Sequence, residues 1–329
     1  MRLENILALT HANLVNEPFV SSFDNIVIEV AKVKRGDLFI AFDPDDIPQA
    51  ILSGAYGIIF DKPTQISDIE IAWIQVKNTS DALLRLIRFR LIEKEPIVYA
   101  CDEIILKLAL QVMTESSFIV LHKDIKSLFK TLWHIEENTI LLFCPTLLNE
   151  DIFTNIKPMP TNSPFPIEVM EQTLFETSFI YDNIFYERQL LSPFFIPYLE
   201  QLLHLYKTLK INFRLRKFIP IEHFEAVFIN KNFEIKEFGT SDKVLIFEPN
   251  SLLIEKEMKF LKNYAPWAKT IYLLPSTCHK QEDVFLYDNK DNIVNILKKQ
   301  NFHFALIVGE SKSILNKPFI STTQLTLDF

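Results

Sequence analysis

Glu29-Val-Ala-Lys-Val-Lys-Arg-Gly-Asp-Leu-Phe-Ile-Ala-Phe42 and, after a short acidic loop, Ala50-Ile-Leu-Ser-Gly-Ala-Tyr-Gly-Ile-Ile-Phe-Asp-Lys-Pro63 decide how this chain is read. Leu38 to Phe42 is an apolar, β-rich run, and Gly36-Asp37 before it supplies residue types that tolerate a tight turn. A strand that starts from a turn is the simplest outcome. Ala50, Ile51 and Leu52 then stand at helix-compatible positions, and Gly54 falls where a helix C-cap would place it. Gly57 to Phe60 gives a second buried strand closed by Asp61-Lys-Pro63, so strand, helix and strand follow within one compact α/β unit.

This order of residues resembles the amino-terminal domain of the Mur ligases, the ATP-dependent enzymes that add amino acids or dipeptides to UDP-linked muramyl precursors of peptidoglycan. The likeness is to the ligases adding the third residue and the terminal D-alanyl-D-alanine. There, Asp-Ser-Arg-Lys-Val-x-Pro-Gly-Asp-Leu-Phe-Val-Ala is followed by a helix, Gly-Ala and an apolar strand. Lys32-Val33, Gly36-Asp37-Leu38-Phe39, Ala41, Gly54-Ala55 and Ile58 to Phe60 keep that pattern. Glu29-Val30-Ala31 replaces Asp-Ser-Arg, Arg35 replaces the proline, and the family's Phe-Asp-Gly-His loop is cut to Asp43-Pro-Asp-Asp-Ile47. Both lost segments lie at the family's UDP-sugar site. Lys32 is therefore the single substrate-binding candidate that the resemblance leaves.

Outward from this stretch, Leu3, Ile6, Leu7, Leu9 and Leu14 suit a short amphipathic helix over residues 3–15, ahead of a strand region from Phe23 to Val30. Ile71 to Val76 is another strand. Asn78 opens a helix carrying Ala82, Leu83, Leu86, Ile87 and Leu91, which closes a first domain at Lys94. Strand Ile97 to Ala100 follows. In a working Mur ligase it would run into Gly-x-x-Gly-Lys-Thr-Thr, whose amides, lysine and hydroxyl hold ATP and magnesium. Here it runs into Cys101-Asp-Glu-Ile-Ile-Leu-Lys-Leu-Ala109, and no glycine occurs between Gly57 and Gly239. A lone Lys107 cannot replace a cradle made of backbone amides in a glycine-dependent conformation.

Alternation continues with strand Phe118 to Leu121, helix Lys123 to His134, strand Thr139 to Cys144 and a short helical piece from Asn149 to Ile156. Lys157 to Pro166, with four prolines, reads as a connector. Apolar residues from Tyr186 to Leu209 return at helical spacing, interrupted by Pro193 and Pro197. Beyond Pro220, Ala226 to Ile229 and Phe233 to Phe238 read as paired strands around Asn230-Lys-Asn232. Strand Lys243 to Phe247, a helix through Leu252 to Leu261, strand Thr270 to Leu274, helix Asp291 to Lys299 and strand Phe304 to Val308 complete a Rossmann-like unit. Glu248-Pro-Asn250 and Gly309-Glu-Ser311 are loose echoes of the carboxy-terminal Mur domain. The fold expected is thus α/β in three Mur-ligase-like units: 1–94, a shortened central 95–220 without a phosphate loop, and 221–329.

Composition sets the remaining bounds. Of 329 residues 48% are apolar and 23% charged, which suits globular domains with full cores. Only 5 glycines against 29 phenylalanines leave little material for phosphate-cradling loops. A net charge of −8 argues against general nucleic-acid binding, and Arg85, Arg88, Arg90 and Arg214, Arg216, Lys217 read as solvated positive faces. No signal peptide and no apolar run of about 18 residues is legible, so a cytoplasmic protein is expected. Cys101, Cys144 and Cys278 read as reduced thiols; Cys278-His279 is adjacent but lacks metal-ligand spacing, and no metal, cofactor or catalytic residue is assigned. Asp102, Glu103 and Glu248 stand near predicted strand ends, where open α/β sheets hold ligands. The leading expectation is a Mur-ligase relative without ATP-dependent ligation, binding a cell-wall biosynthesis protein or a UDP-muramyl precursor. Two alternatives stand beside it: an active ligase or transferase with a relocated nucleotide site, and a structural interaction protein.

Overall fold

The computed structural model describes residues 1–121, 124–160, 166–241, 243–278 and 283–316, which form two compact units. The first comprises Met1–Leu106 with Glu115–Met159, the second Lys107–Thr114 with Pro160–Phe329. Both are mixed α/β. No described helix is long and apolar enough to cross a membrane.

The first unit opens with α1 (Leu3–Thr10), β1 (Asn13–Leu14), β2 (Ile26–Val27), β3 (Leu38–Ile40), α2 (Ile47–Leu52), β4 (Gly57–Phe60), β5 (Ala72–Gln75) and α3 (Thr79–Lys94). Its five-stranded sheet has the order β1-β5-β4-β3-β2, parallel apart from the β1–β5 pair. Both faces are covered, as a parallel sheet requires. Leu38, Ile40, Ile59 and Ile74 point into a core with α1 and α3, while Phe39, Ile58, Phe60 and Trp73 point to the opposite side with Ile47 and Ala50 of α2. The strand region expected from Phe23 to Val30 shrinks to Ile26–Val27, because Val30–Lys32 winds into a 3-10 turn.

After α3 come β6 (Ile97–Ala100), α4 (Glu103–Ala109), β7 (Met113–Thr114), β8 (Phe118–Leu121), α5 (Ile125–Leu132), β9 (Ile140–Phe143) and β10 (Ile156–Pro158). A second, wholly parallel sheet of order β10-β6-β9-β8 results. Val98, Leu121, Leu141 and Phe143 share one core with Leu86 and Leu91 of α3 and Phe129 and Leu132 of α5. Two expectations change here. The helical piece over Asn149 to Ile156 is a 3-10 turn at Glu150–Ile152, and the proline-rich connector first contributes β10. Pro158 is tolerated because β10 is an edge strand, where a missing N–H costs no ladder bond. Residues 161–165 lie outside the described residues.

The second unit contains β7 and then β11 (Glu168–Gln172), β12 (Thr177–Tyr181), β13 (Ile184–Gln189), α6 (Ile196–Thr208), β14 (Phe213–Arg214), β15 (Glu225–Ile229), β16 (Lys243–Glu248), α7 (Ile254–Tyr264), β17 (Thr270–Pro275), β18 (Val284–Tyr287), α8 (Lys290–Lys299) and β19 (Phe304–Val308). Strands β11, β12 and β13 form an antiparallel sheet that sequence periodicity did not disclose. The stripe read as a helix from Tyr186 begins as strand, and the helix starts only at Ile196. Pro193 and Pro197 explain the boundary: they sit in the first turns of a 3-10 and an α-helix, where their missing amides cost nothing, and Ser192 caps Phe194 N at 3.2 Å.

The larger sheet of this unit has the order β15-β16-β19-β17-β18, parallel except for β15. Strand β18 was not legible in the sequence. Phe233 to Phe238 does not form the partner strand of β15: only Ile229 and Ile235 bridge, and β16 is the true partner. Asn230 accepts hydrogen bonds from Asn232 N and Glu234 N, and Phe233 adopts a φ of 64°, so the segment turns instead of pairing. Phenylalanine knits the unit together, with Phe224 5.6 Å from Phe194 and 5.5 Å from Phe260, and Phe175 6.1 Å from Phe304.

Candidate functional site

Three places were marked by the sequence, and each can be built from its residues. The first is the connection from β6 to α4. It is two residues long, Cys101 and Asp102. Cys101 N donates to Phe143 O at 2.9 Å and its thiol to the same oxygen at 3.4 Å, so both groups are spent inside the fold. Burial, then Cys144 and Asp102, push the thiol well above its ordinary pKa, which removes it as a nucleophile. Asp102 and Glu103 place two carboxylates at the start of α4, where the helix dipole would otherwise welcome an anion. A phosphate cradle needs several free amides in a loop, and this turn offers a tied amide and two negative charges.

The second place surrounds Gly36-Asp37 and Lys32. Gly36 has a φ of 98°, and an added Cβ would press on the Asp24 carboxylate, 3.0 Å from its Cγ. Asp37 is buried and accepts from Lys34 N at 2.8 Å and from Asn25 Nδ2 at 3.3 Å. Both residues of the motif therefore hold the turn that launches β3. Beside it lies a groove of about 700 Å³ whose wall includes Ile28, Lys32, Lys34, Lys130 and His134. The Lys32 ammonium does not stand alone in it. It pairs with Glu29 at 2.6 Å, and Glu29 also pairs with Lys130. Hydrogen bonds from Lys130 and then Lys32 pull the Glu29 pKa down to about 2, which keeps this carboxylate charged between its two lysines.

The third place is the carboxyl end of β16. Glu248, expected near a ligand-holding strand end, is fully buried. Its carboxylate faces His223 Nδ1 at 2.7 Å and accepts from Phe224 N at 3.0 Å and Asn250 N at 2.7 Å. It thus clamps the segment before β15 to the turn after β16. Glu257 of α7 is buried beside it. Burial, then the charge of Glu248, push the Glu257 pKa well above 4.5, and neither Glu257 oxygen reaches ordinary hydrogen-bond geometry. Buried from solvent, Glu248 and Glu257 make a polar knot within the core and present no open ligand surface. Sequence reading missed His223 and Glu257. A signal existed for the latter: it occupies the apolar stripe of α7 with Leu253, Phe260 and Leu261.

No protein-family model matches this sequence. No curated protein matches it either. Among solved structures it is similar to MurF from Acinetobacter baumannii, with a TM-score of 0.49 and 9% identity over 93% of this chain and 95% of that one. It is also similar to MurF ligase from Thermotoga maritima in complex with ADP, with a TM-score of 0.47 and 12% identity over 88% and 95%. A UDP-N-acetylmuramoyl-L-alanyl-D-glutamate–2,6-diaminopimelate ligase follows at a TM-score of 0.34 and 9% identity over 93% of each chain.

The other residues marked by the sequence do not converge. Arg85 contacts His11, Arg90 is held by Glu93 and Trp133 O, and Arg88 is exposed, so the three arginines of α3 make no common site. Cys144 is buried against Thr146, while Cys278 is half-buried and its neighbour His279 lies outside the described residues. Among the described residues no group of three or more His, Cys, Asp or Glu is arranged to hold a metal ion.

Proposed function

We propose that this chain is a Mur-ligase-like protein that has given up ATP-dependent ligation and acts as a binding or partner protein linked to peptidoglycan precursor synthesis. The observation that carries the loss of ligation is the two-residue turn between β6 and α4, with its amide tied to Phe143 O and its helix start occupied by Asp102 and Glu103. A triphosphate placed there would meet like charge and find no amide nest. The cell-wall link rests on the Lys32 to Phe60 pattern and on the strand, helix, strand order that these residues adopt around Gly36 and Gly54. In the same groove the Lys32 charge is shared with Glu29, so a UDP-sugar phosphate would have to displace an existing ion pair.

The test is incubation of the full chain with a UDP-muramyl-peptide, D-alanyl-D-alanine and magnesium-ATP. No phosphate release above the protein-free rate is expected. Phosphate release that requires all three substrates would overturn the loss of ligation. Tight binding of the UDP-muramyl-peptide alone, abolished in Lys32→Ala without loss of folding, would instead give this groove the substrate role.

A further inference from the structure

Arg214, Arg216 and Lys217, which sequence reading left as a solvated face, come together around one cavity of the second unit. The cavity holds about 640 Å³, and its wall includes Met113, Tyr186 and Gln189 besides the three cations. Strand β14 pairs with β7 in the register Arg214 to Met113, and Leu215 turns inward to a buried position, which leaves Arg214 and Arg216 on the open side. Gln189 is fixed: its Oε1 accepts from Phe218 N at 3.0 Å and its Nε2 donates to Glu187 O at 2.8 Å. The Arg214 charge reaches the Tyr186 hydroxyl, opposing the upward push that burial and then Asp182 exert on it.

Several cations of this protein have a carboxylate neighbour. Lys207 is 2.8 Å from Asp182, and Arg188 is 3.5 Å from Glu176. Among the described residues, Arg214, Arg216 and Lys217 have none. One carboxylate, Glu187, borders the cavity against the three cations. An acidic protein of net charge −8 that gathers three unpaired cations in one concavity is built to receive compact negative charge there.

We propose that this cavity binds a small molecule carrying two adjoining phosphate groups. Two guanidinium forks suit phosphate oxygens, a lysine adds a third charge, and the Tyr186 hydroxyl can donate to a bridging oxygen. A volume of about 640 Å³ lies within the span of small-ligand pockets. A long polyanion gains little more than a compact one, because the attraction of these three cations is screened beyond roughly a Debye length of 8–10 Å. This site belongs to the second unit, whereas the β6–α4 turn and the Lys32 groove belong to the first, and it stands or falls independently of the proposed function.

Inorganic pyrophosphate is the probe, titrated into the full chain at low salt with calorimetric detection. Saturable binding is expected, weakened at least about tenfold in Arg214→Ala/Arg216→Ala and unchanged in Arg88→Ala, a cation of the first unit. All these side chains are exposed, and circular dichroism of each variant verifies that it folds. Arg214→Lys should recover part of the lost affinity, since it restores charge without the fork. No saturation at millimolar pyrophosphate, or equal affinity in the double variant, would overturn the proposal. So would a single-stranded oligonucleotide that binds through the same arginines more tightly than pyrophosphate, since the surface would then be an extended nucleic-acid track.

Discussion

Glu257→Gln tests the polar knot of the second unit by its pH dependence. Burial and Glu248 raise the Glu257 pKa in the folded chain, whereas in the unfolded chain it returns to about 4.5. Between these values the folded state holds a proton that the unfolded state has released. Stability therefore falls as pH rises through that window: the contribution is fully present below 4.5 and lost as the pH climbs above it. One proton of difference is worth about 1.4 kcal/mol per pH unit. Above pH 4.5 the wild type should therefore lose stability relative to Glu257→Gln, whose amide does not titrate, with the full-proton slope of about 1.4 kcal/mol per pH unit as the ceiling. For a unit of this size that ceiling corresponds to roughly 3–6 °C in Tm per pH unit. Denaturation curves at closely spaced pH values provide the measurement. Parallel pH profiles for the two proteins would refute the assignment of a protonated, buried Glu257.

Two further outcomes follow from the first unit. Gly36→Val should cost at least about 2 kcal/mol, because it forces a β-branched residue to positive φ and against Asp24, whereas Lys32→Ala removes only an exposed ion pair and should leave stability nearly unchanged; thermal melts that ranked the two variants the other way would contradict the structural role of Gly36. Division of the chain at Lys94 is a proposal that expression of residues 1–94 alone would test. Their sheet is covered by its own α1, α2 and α3, so the fragment should fold, but with reduced Tm because Leu86 and Leu91 lose Phe129 and Leu132; an unfolded fragment would remove that boundary.

The sequence disclosed elements wherever local chemistry and burial agreed. Asn78 caps Asp81 N at 3.0 Å and starts α3 as its residue type predicts, and Gly54, with a φ of 93°, ends the α2 segment. The apolar runs of β4, β9 and β19 are buried at every residue, which is why they stood out without any alternation. Reading failed where long-range contacts decide. The helical spacing read from Tyr186 took in the end of β13, where Tyr186 and Gln189 pair with Phe179 and Thr177 of β12. Phe233 to Phe238 has strand composition, yet the Asn230 turn and the pairing of β15 with β16 leave it almost unpaired. The site residues divide in the same way. Lys32 was visible through its motif, but the arrival of Lys130 of α5 at the Glu29 carboxylate that also pairs with Lys32 bridges 101 positions of sequence. His223 meets Glu248 across 25 positions of sequence, a distance no local pattern spans.

The central proposal is that the turn from β6 to α4 does not hold a nucleotide, and calorimetric titration of the full chain with magnesium-ATP tests it most directly. The account predicts no saturable heat up to millimolar nucleotide, in the wild type and in Asp102→Asn/Glu103→Gln alike, because neutralising the two carboxylates does not supply the missing amide nest. Micromolar magnesium-ATP affinity that is abolished by substitutions between Cys101 and Lys107 would contradict it.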